Sequence, residues 1–339
     1  MPNLPKPRLR RARGSLAVPA AREAPAGPNV ETIQSSGLSW VKIERPTELE
    51  WSWLQEHHDF HALDLEDVLS RNQRPKIDEY PDYLFIVLHF PVFDPAAGRL
   101  NAGELDIFVG ADFLITIPNQ PLQPIEYLFD RCTAKEELRD QLFSRGSGYL
   151  LYRIVDDGFD YCFPMLRKIG NKLDAVEQDI FVEGRPQEVV RDISNVKQEI
   201  INFRKVIRPQ RPVLRDLEGV KQRFLAPDPD LEIYFDDVVD AHERIWDILE
   251  NYKEVVEALQ DTNEAVLSHR VNDILRVLTA ISVIVLPLTM IASLFGMNVG
   301  LPGGADPSDG PTVSFWVILG IMVSLLVGMV TYFRRRDWL

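Results

Sequence analysis

Two long apolar runs near the end of the chain constrain its fold more than any other sequence feature. The first extends from Val277 to Phe295 and the second from Val313 to Phe333, and neither contains a charged residue. A helix needs about 20 apolar residues to cross the hydrocarbon layer of a bilayer, at about 1.5 Å per residue. Because only a short polar segment separates the two runs, the sequence predicts a membrane hairpin.

The charges beside the apolar runs predict the direction of this hairpin. Arg334, Arg335 and Arg336 follow the second run, and Arg270 and Arg276 precede the first. The connecting segment 296–312 contains no Lys or Arg. Since cytoplasmic loops are the ones enriched in these residues, we expect a multi-pass protein of the cell membrane with both termini in the cytoplasm. The lipid bilayer is then an obligatory partner.

The composition of the remaining chain argues against two broad classes of protein. The formal net charge is -14 over 339 residues, whereas nucleic-acid binding requires clustered Lys and Arg, so we expect no nucleic-acid partner. The sequence contains no Gly-Lys-Ser phosphate loop, no nucleophile elbow and no zinc-hydrolase helix. Without these catalytic motifs we do not expect an enzyme.

A very long helix is predicted before the hairpin. Between Pro229 and Pro287 there is neither Gly nor Pro, and this stretch of about 57 residues would reach about 85 Å as a helix, far more than an ordinary globular helix. It continues directly into the first apolar run. Such a helix needs neighbours along its length, so we expect symmetry-related copies around an axis.

One face of this helix carries small polar groups separated by leucines, at alternating spacings of three and four residues. In a ring of helices the oxygens of this face would contact a solvated ion, and the leucines would form constrictions. The alternative is helix–helix packing in the membrane, which small polar residues also favour. We name this face the polar stripe; its members are Asn272, Leu275, Thr279, Ser282, Leu286 and Thr289, and Asp261 extends it toward the N-terminus.

The tripeptide Gly296-Met297-Asn298 follows the predicted pore helix directly. The last carbonyls of a helix lack donors and carry partial negative charge, and glycine permits close approach of the backbone. The Asn298 amide oxygen can accept a hydrogen bond from water on a hydrated ion. Since Mg²⁺ dehydrates reluctantly, a ring of such oxygens suits it. We therefore predict that the tripeptide is a selectivity motif for a divalent cation.

The N-terminal part of the chain mixes strands and helices. Apolar runs at 85–88, 105–109 and 113–117 are bounded by Gly and Pro, and a helical pattern follows from Ile125. This predicts an α+β domain followed by helical hairpins. The expected division is a disordered basic tail 1–37, a cytosolic α/β domain 38–228, the cytosolic part of a stalk helix 229–276, transmembrane helices 277–295 and 313–333 joined by the external loop 296–312, and a basic cytosolic tail 334–339.

These features together resemble the CorA family of divalent-cation channels. The resemblance covers the chain from about residue 40 to its last residue. It is carried by Gly296-Met297-Asn298, by Leu286-Pro287-Leu288-Thr289-Met290-Ile291-Ala292, by Arg334-Arg335-Arg336-Asp337-Trp338-Leu339, by Asn72-Gln73-Arg74-Pro75-Lys76 and by Tyr234-Phe235-Asp236-Asp237-Val238-Val239-Asp240.

The resemblance implies a homopentamer whose long helices form a funnel and continue as the inner ring of a pore, with an α/β/α sandwich as the cytosolic domain. It implies Mg²⁺ uptake, with Co²⁺ and Ni²⁺ as further ions, and closure by cytosolic Mg²⁺ bound between subunits. Asp237 matches one half of that regulatory site, and Asp94 is the expected partner. Asp261 matches an acidic ring near the cytosolic mouth, and Asn298 with the Gly296 carbonyl matches the outer selectivity ring.

Two other functions fit the same sequence. Val299-Gly300 and the loop after it resemble the zinc-transporting branch of the superfamily, which implies a Zn²⁺ transporter coupled to protons. The third hypothesis is a membrane-anchored sensor whose cytosolic domain binds metal without any flux.

Overall fold

The computed structural model describes residues 27–70, 73–94, 98–182, 184–219, 230–297, 313–336 and 338. They form two compact units. The sheet unit contains the described residues up to Leu166 together with Asn202–Ile248, and the helical unit contains Arg167–Ile201 and the described residues from Leu249 onward. The division falls inside the long helix and not at the predicted boundary of 228/229, because the first turns of that helix pack with the sheet unit.

The sheet unit is built on six strands in the spatial order β1-β2-β6-β5-β4-β3. Neighbouring strands are antiparallel except β2 and β6, which are parallel. The three predicted strands are confirmed within β4, β5 and β6. The bounds are β1 Val30–Ser35, β2 Leu38–Ile43, β3 Lys76–Glu79, β4 Tyr83–Asp94, β5 Arg99–Gly110 and β6 Phe113–Pro118.

The first strand corrects the predicted basic tail of residues 1–37. β1 pairs with β2 from Val30 opposite Ile43 to Ser35 opposite Leu38. Ser36 and Gly37 have φ values of 51° and 80°, as in a two-residue hairpin turn, which requires positive φ at both positions. Residues 30–35 are therefore ordered sheet. Residues 1–26 lie outside the described part of the chain.

Helices cover both faces of the sheet, which confirms the α/β/α arrangement. α1 (Glu48–His57) and α2 (Ala62–Ser70) cover one face, where Leu54 and Leu65 share a core with Phe85 and Phe108. On the other face Trp40 of β2 lies edge-on to Phe129, with ring centroids 5.0 Å apart. The helices on that face are α3 (Gln123–Ala134), α4 (Glu136–Phe143) and α5 (Ser147–Asp160).

A helical hairpin follows, made of α6 (Cys162–Ile180) and α7 (Pro186–Ile207), and then the short helix α8 (Arg211–Gly219). Within the helical unit this hairpin runs along the long helix α9 (Leu231–Phe295). Lys197 Nζ donates to Gln260 Oε1 at 3.0 Å, and Arg270 Nη2 donates to the Val182 carbonyl at 3.3 Å.

The long helix has 65 residues, which corresponds to about 98 Å. It continues through Pro287, so the proline does not end it. After the segment 298–312, which lies outside the described residues, the last helix α10 extends from Val313 to Arg335. Both helices contain stretches long and apolar enough to cross a membrane. They pack through the α10-contact face of α9, composed of Ala280, Ile284 and Leu288, against Met329, Val330 and Phe333 of α10.

Candidate ion pathway and acidic cluster

The polar stripe lies on an exposed face of α9. All six members, and Asp261 before them, are exposed. The two leucines show large exposed fractions, 52% for Leu275 and 69% for Leu286. Apolar side chains exposed at regular intervals along a helix need either lipid or a protein neighbour.

The stripe and the α10-contact face lie on opposite sides of the helix. An α-helix turns by about 100° per residue, so the centres of the two faces are separated by about 180° around the α9 axis. Ala280 and Ile284 are buried by α10, whereas Thr279, Ser282 and Leu286 are not covered. The small polar residues of the stripe therefore do not mediate α9–α10 packing within one chain.

The hydroxyl groups of the stripe all donate their protons to the backbone of their own helix. The Oγ1 of Thr279 donates to the Leu275 carbonyl at 2.7 Å, Ser282 Oγ donates to the Leu278 carbonyl at 2.9 Å, and Thr289 Oγ1 donates to the Val285 carbonyl at 2.7 Å. Because a hydroxyl has one proton and two acceptor lone pairs, each of these oxygens can act outward only as an acceptor. An exposed row of acceptors suits a hydrated cation.

The predicted selectivity motif begins where α9 ends. The Gly296 N–H donates to the Ala292 carbonyl at 3.0 Å, and a Cβ at this position would lie 3.1 Å from the same oxygen. Any larger residue would therefore be tightly packed against the helix end, although the backbone at Gly296 is not left-handed. Met297 is 56% exposed. Asn298 lies outside the described residues.

Asp237 projects from the first turns of α9 toward an acidic cluster on α5. Arg153 donates to Asp156 Oδ2 at 2.8 Å and also to Asp157. Burial, followed by repulsion from Asp160, raises the pKa of Asp156 to about 6, and Asp237 adds to this repulsion. We name Asp156, Asp157, Asp160 and Asp237 the acidic cluster. A bound cation would relieve its repulsion.

The other predicted acidic partner occupies a different place in the sheet unit. Asp94 ends β4, where its Oδ2 accepts from Asn101 Nδ2 at 3.3 Å. The predicted pairing of Asp94 with Asp237 joins two subunits and stays a prediction. Among the residues that the structure describes, no three His, Cys, Asp or Glu side chains lie close enough together to hold a metal ion.

The sequence predicted Asp237, which lies about two helical turns before Glu243 on α9, but gave no prediction for the aspartates of α5. Glu243 Oε1 accepts from Arg211 at 2.7 Å and from Arg215 at 3.2 Å, so its charge is already compensated. Asp156 and Asp160 are separated by one helical turn in α5, whose other residues are mostly apolar. That i, i+4 acidic pair on a buried helix was the signal in the sequence.

The fold and this site define a class: a membrane protein whose first span carries an exposed row of cation-compatible oxygens. The chain belongs to the family described as CorA-like Mg²⁺ transporter protein, which matches residues 35–335. It is 30% identical to the cobalt/magnesium transport protein CorA of Thermotoga maritima over 294 residues, covering 84% of this chain and 78% of the relative.

Solved structures agree with the fold. The complete CorA magnesium transporter of Methanocaldococcus jannaschii superposes with a TM-score of 0.77 at 22% identity, covering 96% of this chain and 97% of that one. The cytoplasmic domain of ZntB from Vibrio parahaemolyticus superposes with a TM-score of 0.58 at 18% identity, covering 70% of this chain and 90% of that domain. At these identities the likeness concerns the fold alone.

Proposed function

We propose that the protein is a divalent-cation channel that passes hydrated Mg²⁺ along an axis lined by the polar stripe, with Co²⁺ and Ni²⁺ as further ions. The observation that carries this proposal is the orientation of the three stripe hydroxyls, whose protons are bonded to the helix backbone. Their free lone pairs point away from the helix and match the outward-pointing protons of a hydrated cation.

The pathway requires several copies of α9, since one helix cannot enclose an ion. We propose a homopentamer with the stripe facing the axis and α10 on the outside, which agrees with the opposite positions of the stripe and the α10-contact face. Both termini are cytoplasmic in this arrangement, and segment 296–312, with the motif Gly296-Met297-Asn298, is external. Asp261 then contributes one carboxylate per subunit to a ring at the cytosolic mouth.

A second role for Mg²⁺ is regulatory, at Asp237. In the acidic cluster Arg153 pairs with Asp156 and Asp157, while Asp160 and Asp237 repel Asp156, and carboxylate oxygens are ligands suited to Mg²⁺. Since three suitable side chains do not meet within the described part of one chain, the remaining ligand comes from the next subunit, for which Asp94 is the candidate. Cytosolic Mg²⁺ bound there favours the closed state.

Uptake into proteoliposomes that contain a Mg²⁺-sensitive dye tests the channel. Thr279→Val keeps the shape of the side chain but removes the acceptor oxygen, so we expect reduced Mg²⁺ uptake. Thr331→Val on α10 is the matched control, because Thr331 Oγ1 bonds to the Val327 carbonyl at the same 2.7 Å but lies outside the stripe. Asn298→Ala should abolish uptake with the oligomer intact. Equal loss in both threonine variants would contradict a specific role for the stripe.

The regulatory role is tested separately. Asp237→Ala removes a carboxylate from the acidic cluster, so cytosolic Mg²⁺ should protect the variant from proteolysis less than it protects the wild type. Glu243→Ala is the control, because that carboxylate is already paired with two arginines. Unchanged protection of the Asp237 variant would refute the assignment.

The alternative is Zn²⁺ transport, supported by the residues Val299-Gly300 after the motif. Zn²⁺ uptake in the same liposomes without Mg²⁺ uptake, accelerated by a proton gradient, would establish it. Binding without flux of any divalent ion would leave only a metal sensor.

A further inference from the structure

A groove lies between the two membrane helices, outside the polar stripe. Its volume is about 400 Å³, and its lining is almost entirely apolar. One wall is Val283 of α9, and the rest is formed by α10. The lining on α10 includes Ser324, Leu325, Gly328, Tyr332 and Phe333.

Gly328 lines this groove and presents no side chain to it. A Cβ at this position would meet no atom within 4 Å, so the missing side chain leaves an open notch in the surface of α10. From Ser324 to Tyr332 the groove extends over eight residues, or about 12 Å along the helix. One leaflet of the hydrocarbon layer is about 15 Å thick. The groove therefore has nearly the length of a leaflet and begins at its polar boundary.

Positive charge lies at that boundary. The Arg336 guanidinium is 5.8 Å from the centre of the Tyr332 ring, one turn beyond this groove residue. Its backbone N–H donates to the Phe333 carbonyl at 3.1 Å, as does the N–H of Trp338, whose ring packs on Phe333 with centroids 5.6 Å apart. These contacts hold Arg336 at the end of the groove that faces the headgroups.

We propose that this groove binds an anionic phospholipid, with one acyl chain along Gly328 and the phosphate on Arg336. An apolar channel of leaflet length fits an acyl chain, and arginine pairs with phosphate by charge-assisted hydrogen bonds. Neutral phosphatidylcholine offers the same chains, but its own cation offsets the attraction of its phosphate to arginine. Lipid binding would give Gly328 and Arg336 a role that is separate from ion transport.

Binding can be measured by native mass spectrometry of the delipidated full-length protein in detergent, titrated with palmitoyl-oleoyl phosphatidylglycerol or phosphatidylcholine. We expect the wild type to retain phosphatidylglycerol preferentially. Gly328→Leu places an apolar side chain in the notch, where its Cβ meets no atom within 4 Å, and should remove the bound phosphatidylglycerol. Gly320→Leu is the matched control, since a Cβ there also meets nothing within 4 Å and Gly320 does not line the groove. Arg336→Gln should weaken binding about fivefold, from roughly 1 kcal/mol per basic residue at an anionic surface.

Three results would overturn the proposal. Equal retention of the two lipids would exclude recognition of the anionic headgroup. Equal effects of Gly328→Leu and Gly320→Leu would exclude the groove as the binding place. A change of oligomeric mass in Gly328→Leu alone would show that a second copy of the chain occupies the groove. Because the measurement does not involve ion flux, its outcome is independent of the proposed channel function.

Discussion

Asp106 makes the stability of the sheet unit depend on pH. It lies in the middle of β5, opposite Val87 and Ile117, and is 3% exposed. Its Oδ1 has no hydrogen-bond partner among the described residues. Burial raises the pKa of Asp106 well above its usual range, and the neighbouring carboxylates Glu104 and Asp67 raise it further. The nearby Lys76 ammonium is engaged by Asp67 at 2.7 Å and by Asp78 at 2.5 Å, so it opposes this effect only in part.

The sign of the effect follows from proton binding. Above about pH 4 the unfolded chain releases the proton of an ordinary aspartate, whereas the folded chain retains it at Asp106. The unfolded state then binds fewer protons, so stability present at low pH is lost as pH rises toward the folded pKa. The maximum slope for one group is about 1.4 kcal/mol per pH unit. With about 2–4 °C per kcal/mol for a domain of 150–250 residues, the unfolding midpoint shifts by about 3–6 °C per unit.

Asp106→Asn removes this slope while keeping the shape of the side chain. Thermal unfolding of the full-length protein in detergent is followed between pH 5 and 8. The unfolding midpoint of the variant should rise relative to that of the wild type as pH rises. The amide adds its own constant offset of about 1–3 kcal/mol if its donors stay unpaired, so the readout is the change of the difference with pH. Asp82→Asn, at an exposed bend, is the control. Parallel pH curves for Asp106→Asn and wild type would refute the reasoning.

Two further substitutions test packing and capping in the sheet unit. Gly158→Ala would place a Cβ 2.4 Å from the Phe90 ring, so it should destabilise the protein by about 1–3 kcal/mol and lower the thermal unfolding midpoint. The control Gly320→Ala, which has open space around it, should leave the midpoint unchanged. An unchanged midpoint for Gly158→Ala would contradict the contact. Thr47→Ala removes the N-cap acceptor for the Leu49 N–H at 3.2 Å and should lower the free energy of unfolding by about 1 kcal/mol. Thr47→Ser keeps a hydroxyl acceptor and should retain most of that stability. Equal losses of stability in both variants would argue against the cap.

The elements that could be predicted from the sequence are those whose pattern is long or continuous. The spans after Val277 and Val313 are uninterrupted apolar runs, and α9 lacks Gly and Pro over most of its length. β1 was missed because its six residues include only one with a buried side chain, Ile33, and its partner strand β2 determines its register. The turn at Ser36-Gly37 was the available local signal.

The candidate site also has one part that could be predicted from the sequence and one part that could not. The polar stripe follows from helical periodicity alone, since all its members belong to one helix. The acidic cluster does not, because α5 and the start of α9 are distant in sequence and only tertiary packing brings Asp156 near Asp237. The boundary of the two compact units inside α9 was equally inaccessible. The helical residue pattern of α9 continues across this boundary, so the sequence does not show where the packing partners of the helix change.

Selection of cations over anions can arise in this membrane span without a charged residue. Each water bound to a cation directs both protons outward, so the hydrated ion presents mainly donors, whereas each water around an anion directs one proton to the ion and keeps only one for other partners. On the stripe the backbone carbonyls of Leu275, Leu278 and Val285 consume the three hydroxyl protons. The stripe therefore offers acceptors at these positions, which suit a hydrated cation better than a hydrated anion. This polarity is set by the helix itself, because the i−4 carbonyl lies within reach of each hydroxyl. Valine at position 279 would remove an acceptor, whereas serine would retain both the bond and the polarity, so Mg²⁺ uptake should be higher for Thr279→Ser than for Thr279→Val.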